Sequence, residues 1–187
     1  MVIKRVNTPL TDEVVQTLAA GDHVALSGKI YTVSDAAHKK LVQYLGYGRK
    51  LPVDLSNQVI YYAVATPTPP GRILGSAGPT TAERMDDYTP ALLGQGVKGV
   101  IAKGYRKAEV LQAMRHHRAV YFGATCGIAT LLSMYIKKVR LAAYPQLGAE
   151  AIYEYTAVDL PLVVNNDIHG GDLQREGRIA YAITQGN

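Results

Sequence analysis

The chain has 187 residues, 48% hydrophobic and 19% charged, enough to bury a core within the usual size of one domain. A formal charge of +5 suits an anionic substrate or an acidic partner, but Lys and Arg are dispersed and form no basic run interleaved with aromatics, which argues against nucleic acid. No stretch approaches the ~20 apolar residues that span a bilayer, no apolar leader follows Met1, and the lone Cys126 can neither close an internal disulfide nor hold a metal centre by itself; the expectation is one cytoplasmic domain over residues 1–187 with no membrane partner.

Thr11, ahead of Asp12-Glu13 and the apolar Val14, Val15 and Leu18, predicts a short capped helix. Residues 23–32 read as a strand with a bulge at Gly28, and Ser34 caps a helix over 35–45 that aligns Ala37, Leu41 and Leu45 on one face. Residues 58–65 are rich in β-formers; Thr66-Pro67-Thr68-Pro69-Pro70-Gly71 then suits only a turn, and the chain is expected to return as a short strand over 72–76. Beyond it the pattern predicts a strand at 97–102, a helix at 107–117, a strand at 119–123, a helix at 125–135 and strands at 137–143, 152–156 and 161–166. Such alternation implies crossover units and an α/β fold with a mixed, partly parallel sheet.

Gly75-Ser76-Ala77-Gly78-Pro79-Thr80-Thr81-Ala82-Glu83-Arg84-Met85 lies where a strand gives way to a helix. A helix starting here would turn its free N–H groups and positive dipole end toward an anion, with the Thr80 hydroxyl and the Arg84 guanidinium on one face. From spacing alone the same residues suit, rather better, a threonine cap beside a solvated arginine. Lys103-Gly104 follows an apolar strand, at the end where open α/β sheets bind ligands, although a surface lysine beside a turn glycine fits too. Asp35 and His38 open another helix, and Asn165-Asn166-Asp167-Ile168-His169-Gly170-Gly171-Asp172 carries residue types that bind metal or simply build a turn. His116-His117 and Cys126 read as structural.

In this order, Ser27-Gly28, Asp35-Ala36-Ala37-His38, Gly78-Pro79-Thr80-Thr81 with Arg84-Met85, Lys103-Gly104, Leu147-Gly148 through Ile152-Tyr153-Glu154, and Asp167 with His169-Gly170 resemble the β-subunit of two-subunit class I fumarases and L-tartrate dehydratases. In single-chain class I fumarases the same unit is the C-terminal domain. The resemblance implies a swivelling β/β/α domain and a hydro-lyase acting on fumarate/malate or tartrate/oxaloacetate. It also implies an α-subunit partner in a hetero-oligomer, with self-association when isolated, and an iron–sulfur cluster of the 4Fe-4S type ligated by that partner, so that this chain binds no metal itself. By family motif Thr80 is the catalytic base, while Thr81, Arg84 and Lys103 bind substrate carboxylates. Ser34 stands where the family has an arginine that grips a carboxylate, and exchanging that guanidinium for a hydroxyl removes a bond of ~1.5 to 3 kcal/mol. Tyr105 similarly replaces a frequent second glycine. The departures leave two readings: an enzyme with Ser34 at its substrate-binding rim, or a non-catalytic, regulatory paralogue that keeps an anion-binding cup.

Overall fold

A computed structural model describes residues 2–182, apart from the side chain of Cys126, which lies outside the described residues. The strands are β1 (Ile3–Asn7), β2 (His23–Thr32), β3 (Val59–Tyr61), β4 (Gly99–Ala102), β5 (Val120–Gly123), β6 (Ile136–Ala143) and β7 (Ile152–Asn166). The helices are α1 (Asp12–Gln16), α2 (Asp35–Gly46), α3 (Thr89–Leu93), α4 (Ala108–His116), α5 (Ala129–Met134) and α6 (Leu173–Tyr181). Seven strands make one mixed sheet in the order β1-β2-β3-β4-β5-β7-β6, with β2 also paired to β7. The first five are mutually parallel, and β7 runs antiparallel to β2, β5 and β6.

Those pairings close a ring of β2, β3, β4, β5 and β7. Side chains alternate across a strand, so each parallel strand feeds two cores. Val59 and Tyr61 of β3, Ile101 of β4, and Val120 and Phe122 of β5 face inward, against Leu26, Ile30, Tyr155, Leu160 and Val164. The intervening Ile60, Val100, Ala102 and Tyr121 pack on the other side, against Ala37 and Leu41 of α2, Leu92 and Leu93 of α3 and Val110 and Met114 of α4. Burial on both faces explains why β3 to β5 read as continuous apolar runs.

The alternation of elements is as the sequence predicts; several boundaries are not. Residues 72–76 form no strand, the β-rich stretch shortens to Val59–Tyr61, and β1, α3 and α6 appear where the sequence predicts no element. The two terminal strands are one, β7: Pro161 sits opposite Ala25 without breaking the ladder, and Asp159, at φ 52°, falls in a local irregularity that interrupts the register without ending the strand. The register with β7 shifts between Leu26 and Gly28, beside the expected position, but the extra residue is on β7, where Val158 and Asp159 stand opposite Ser27.

Gly28 has φ +111°, and a Cβ there would meet the Thr8 backbone, its carbonyl oxygen at 2.9 Å. Gly28→Ala is therefore expected to lower the unfolding free energy by about 2 to 3 kcal/mol, combining a strained φ with a clash against main chain. The urea midpoint checks this, and a shift of under a tenth of that size would mean the bulge relaxes.

Candidate active site

Because β2 to β5 run the same way, the segments leaving their carboxyl ends share one rim. After β2 comes Ser34, the N-cap of α2, whose Oγ accepts the Ala37 amide at 3.1 Å and donates to the Glu150 carbonyl at 2.9 Å. That hydroxyl is thus engaged in both directions, within a buried residue. The next residue, Asp35, reaches across to Arg84 with 3.1 Å between Oδ2 and Nη2. Both partners are well exposed, 41% and 62%, so the bond contributes little to stability, ~0 to 1 kcal/mol.

After β3 the chain makes a long excursion and returns: Pro79 pairs with Ala63, the Thr80 amide bonds the Tyr62 carbonyl at 2.7 Å, and Thr81 pairs in parallel with Lys103. The Lys103 amide bonds the Thr80 carbonyl and the Ala82 amide the Lys103 carbonyl, at 3.1 and 2.8 Å. Thr80 and Thr81 therefore bridge the ends of β3 and β4 like a two-residue strand. This differs from the helix start that local spacing predicts. Helical geometry begins only at a short 3₁₀ turn, Ala82–Met85, with Thr81 extended before it and no side-chain cap. The Thr80 and Ala82 amides are thus spent on main chain rather than left free as the first turn of a helix would leave them. The Thr80 hydroxyl donates to the Tyr62 carbonyl at 3.1 Å. Lys103 also lines a cleft of about 480 Å³ with Gly123, Thr125 and Asn165; Thr80, Thr81 and Arg84 are not among its lining residues.

Beneath the rim lie residues to which local sequence gave no pointer. The side chains of Arg106 and Asp86 are fully buried, with Nε 3.2 Å from Oδ1. Asp86 also accepts the Lys107 amide at 2.8 Å. Burial pushes the Asp86 carboxyl above the ordinary carboxylate value, although the Lys107 amide and the Arg106 charge pull it back. Arg106 donates to the Ala82 carbonyl and to Thr89 Oγ1, at 3.1 and 2.8 Å. An arginine two residues after Lys103-Gly104 carries no periodic signal that would distinguish it from a surface residue.

His38 is buried, with Nδ1 donating to the Ser34 carbonyl at 2.8 Å and its ring edge-on to Tyr62, centroids 4.6 Å apart. Nε2 has no hydrogen-bond partner among the described residues. Asp167, the other motif with metal-binding residue types, builds a turn: its carboxylate accepts the amides of Ala20, His169 and Gly171 at 2.7, 2.8 and 2.9 Å. Burial opposes ionisation there, but those amides outweigh it and hold the carboxyl below the usual range. Among the described residues no group of three or more His, Cys, Asp or Glu could hold a metal ion, and with one cysteine in the sequence this chain does not fit an iron–sulfur cluster as its ligand. No helix among the described residues is long and apolar enough to cross a membrane.

Residues 2–177 match the family described as Fumarase C-terminus. The chain is 37% identical over 171 residues to the aerobic class I fumarate hydratase of Salmonella typhimurium, covering 89% of this chain and 29% of that protein. It is 36% identical to fumarate hydratase 2 of Leishmania major, covering 87% and 29%. It thus spans under a third of these fumarate hydratases. A Methanocaldococcus jannaschii protein, provisionally named as the beta subunit of an L(+)-tartrate dehydratase, is 35% identical with 89% of each chain covered.

Burial lowers the His38 pKa from 6.5 to about 4, outweighing the bond to Ser34 that favours the charged form. A depressed histidine pKa means that the fold keeps the neutral ring. The stability this represents is complete above the unfolded value of 6.5 and is lost as pH falls from there to about 4. The loss amounts to about 3 kcal/mol. Urea unfolding as a function of pH is expected to show it in the wild type and to show a shallower fall in His38→Gln; parallel curves would assign the slope to other groups.

Proposed function

We propose, because this chain belongs to the Fumarase C-terminus family, that it is the β-subunit of a two-subunit hydro-lyase that reversibly adds or removes water on a small hydroxy-carboxylate, fumarate/malate or tartrate/oxaloacetate. The observation that carries the reading is the Thr81–Lys103 bridge, which together with the Asp35–Arg84 bond gathers residues from three strand ends into one cationic, hydroxyl-bearing rim. In this reading Lys103, Arg84 and Thr81 hold the substrate carboxylates, with the guanidinium able to exchange Asp35 for the ligand. Thr80 takes the proton from the carbon beside a carboxylate. An isolated threonine is far too weakly acidic for its alkoxide to exist at neutral pH, so that role depends on Lys103 and Arg84 lowering the energy of its charged form in a closed, dry site. Ser34 serves by capping α2 and so placing Asp35; a ligand reaches its hydroxyl only by displacing the Glu150 carbonyl.

The chain has no ligand set for an iron–sulfur cluster, so the reading assigns a 4Fe-4S cluster to an α-subunit. The pocket is then completed between chains, with this domain swivelling over the partner as one body because its ring of strands is continuously hydrogen-bonded. A cytoplasmic setting follows, where reducing conditions preserve thiolate ligands. The committed Ser34 hydroxyl favours a second reading, a non-catalytic or regulatory paralogue that keeps an anion cup.

Anaerobic co-expression with an α-subunit, followed by an ultraviolet assay over C4 and C5 hydroxy acids, decides between them: turnover requiring both chains supports the enzyme, and a stable, cluster-loaded complex without turnover supports the paralogue. In the active complex Thr80→Ala is expected to reduce kcat at least ~100-fold with little change in KM. Arg84→Gln is expected instead to raise KM ~10- to 100-fold, the loss of one charged hydrogen bond. Unchanged kcat in the first variant would remove Thr80 as the base.

A further inference from the structure

The three segments that carry the rim share one buried neighbour. Arg106 bonds the Ala82 carbonyl directly, which ties it to the turn that bears Arg84. Its Cζ lies 5.4 Å from the Tyr62 ring and 5.5 Å from the Tyr121 ring. Tyr62 is the residue whose carbonyl receives both the amide and the hydroxyl of Thr80. Tyr121 donates its hydroxyl to the Gly104 carbonyl at 2.8 Å, fixing the turn after Lys103. Thr89 closes the set: it accepts from Tyr62 Oη and from Arg106, both at 2.8 Å, and donates to the Met85 carbonyl at 2.7 Å. Arg106 thus reaches the rim directly at the Ala82 carbonyl and otherwise through Tyr62, Tyr121 and Thr89.

A surface cation could not do this. A guanidinium is planar with its donors in a fixed fork, so one group donates to a carbonyl and to hydroxyls, lies in ion-pair contact with a carboxylate, and turns its faces to aromatic rings. Asp86 neutralises it, and the two side chains are sealed from water. Such a pair is a poor source of stability compared with apolar residues of the same shape, while its donors go to the Ala82 carbonyl and Thr89.

We infer that Arg106 is a positioning residue for the hydro-lyase site, holding Thr80, Arg84 and Lys103 in register from below without touching substrate. The inference rests on the proposed function for its catalytic consequence, while its structural content stands apart from it. Lys103 and Arg106 are only three residues apart, and the intervening Gly104 carbonyl is held by Tyr121.

Two variants test it. Arg106→Lys keeps the charge opposite Asp86 but loses the fork; Asp86→Asn with Arg106→Met removes both charges, so that no buried ion is left unpaired. Native-state amide exchange on the isolated chain reads the Thr80, Ala82 and Lys103 amides, with the β2–β7 ladder as internal control. Steady-state kinetics of the complex with the α-subunit read kcat and KM. Exchange at the three rim amides is expected to rise at least ~10-fold with the control ladder unchanged, and kcat/KM to fall ~10- to 100-fold in both folded variants. Wild-type protection of the three amides in a folded double variant overturns the inference whatever the kinetics do. Loosened amides with unchanged kcat/KM overturn its catalytic half. If the wild-type complex has no turnover, the functional reading fails, and the exchange result alone decides whether Arg106 positions the rim.

Discussion

Everything at the rim depends on β7. It is the strand to which β2, β5 and β6 all bond, and because β2 and β5 are also joined through β3 and β4, those bonds turn an open parallel sheet into a ring. An open sheet can twist, and its exposed edges must be managed. A ring has no edge between its members and holds their ends at fixed spacing. The parallel strands then deliver their carboxyl-terminal segments to one place, and crossover helices α2, α3 and α4 all pack on the outer core, leaving that place unobstructed.

At the rim, side chains are displayed by main-chain pairing. The excursion after β3 closes on itself, with the Thr66 amide bonded to the Ser76 carbonyl and the Ser76 amide to Thr66 Oγ1. Gly75 is required there, since a Cβ would run into the Pro67 carbonyl and the Thr66 side chain. Having closed, the chain re-enters the sheet as Pro79 to Thr81 and spans β3 and β4. A threonine in such a bridge has its backbone fixed on both sides, which is a stronger constraint on its hydroxyl than the first turn of a helix offers.

What was legible in the sequence follows from which forces are local. The Ser34 cap and the amphipathic face of α2 depend on residues within one or two turns, and they are found where periodicity places them. The Gly75–Met85 segment reads as a helix start because proline, threonines and a following charged stretch imitate one, whereas its hydrogen bonds go to Tyr62 and Lys103, 18 and 22 positions from Thr80 and Thr81. Pairings of that span leave no period. β7 reads as two strands for a related reason: Asp159 and Pro161 are turn residues by composition, but β2 pairs Pro161 with Ala25 and accommodates Asp159 in an irregularity where its amide bonds the Ser27 hydroxyl. Arg106 was invisible for the plainest reason, since an arginine is exposed by default and its burial depends on Asp86, Tyr62 and Tyr121 arriving from elsewhere.

The two arginine–aspartate pairs of the site show why one rim can be both rigid and receptive. Arg106–Asp86 is sealed from solvent, so separating it would strand two charges in a medium that cannot solvate them, and the pair is effectively permanent. Arg84–Asp35 is largely exposed, so water and salt already compete for it and separating it costs at most about 1 kcal/mol. Under the proposed function, an incoming carboxylate takes the place of Asp35 at Arg84 with little penalty. It cannot disturb the buried pair whose guanidinium holds the Ala82 carbonyl two residues away. Exchangeability at the surface and fixity beneath it come from the same two residue types, and depth alone separates them.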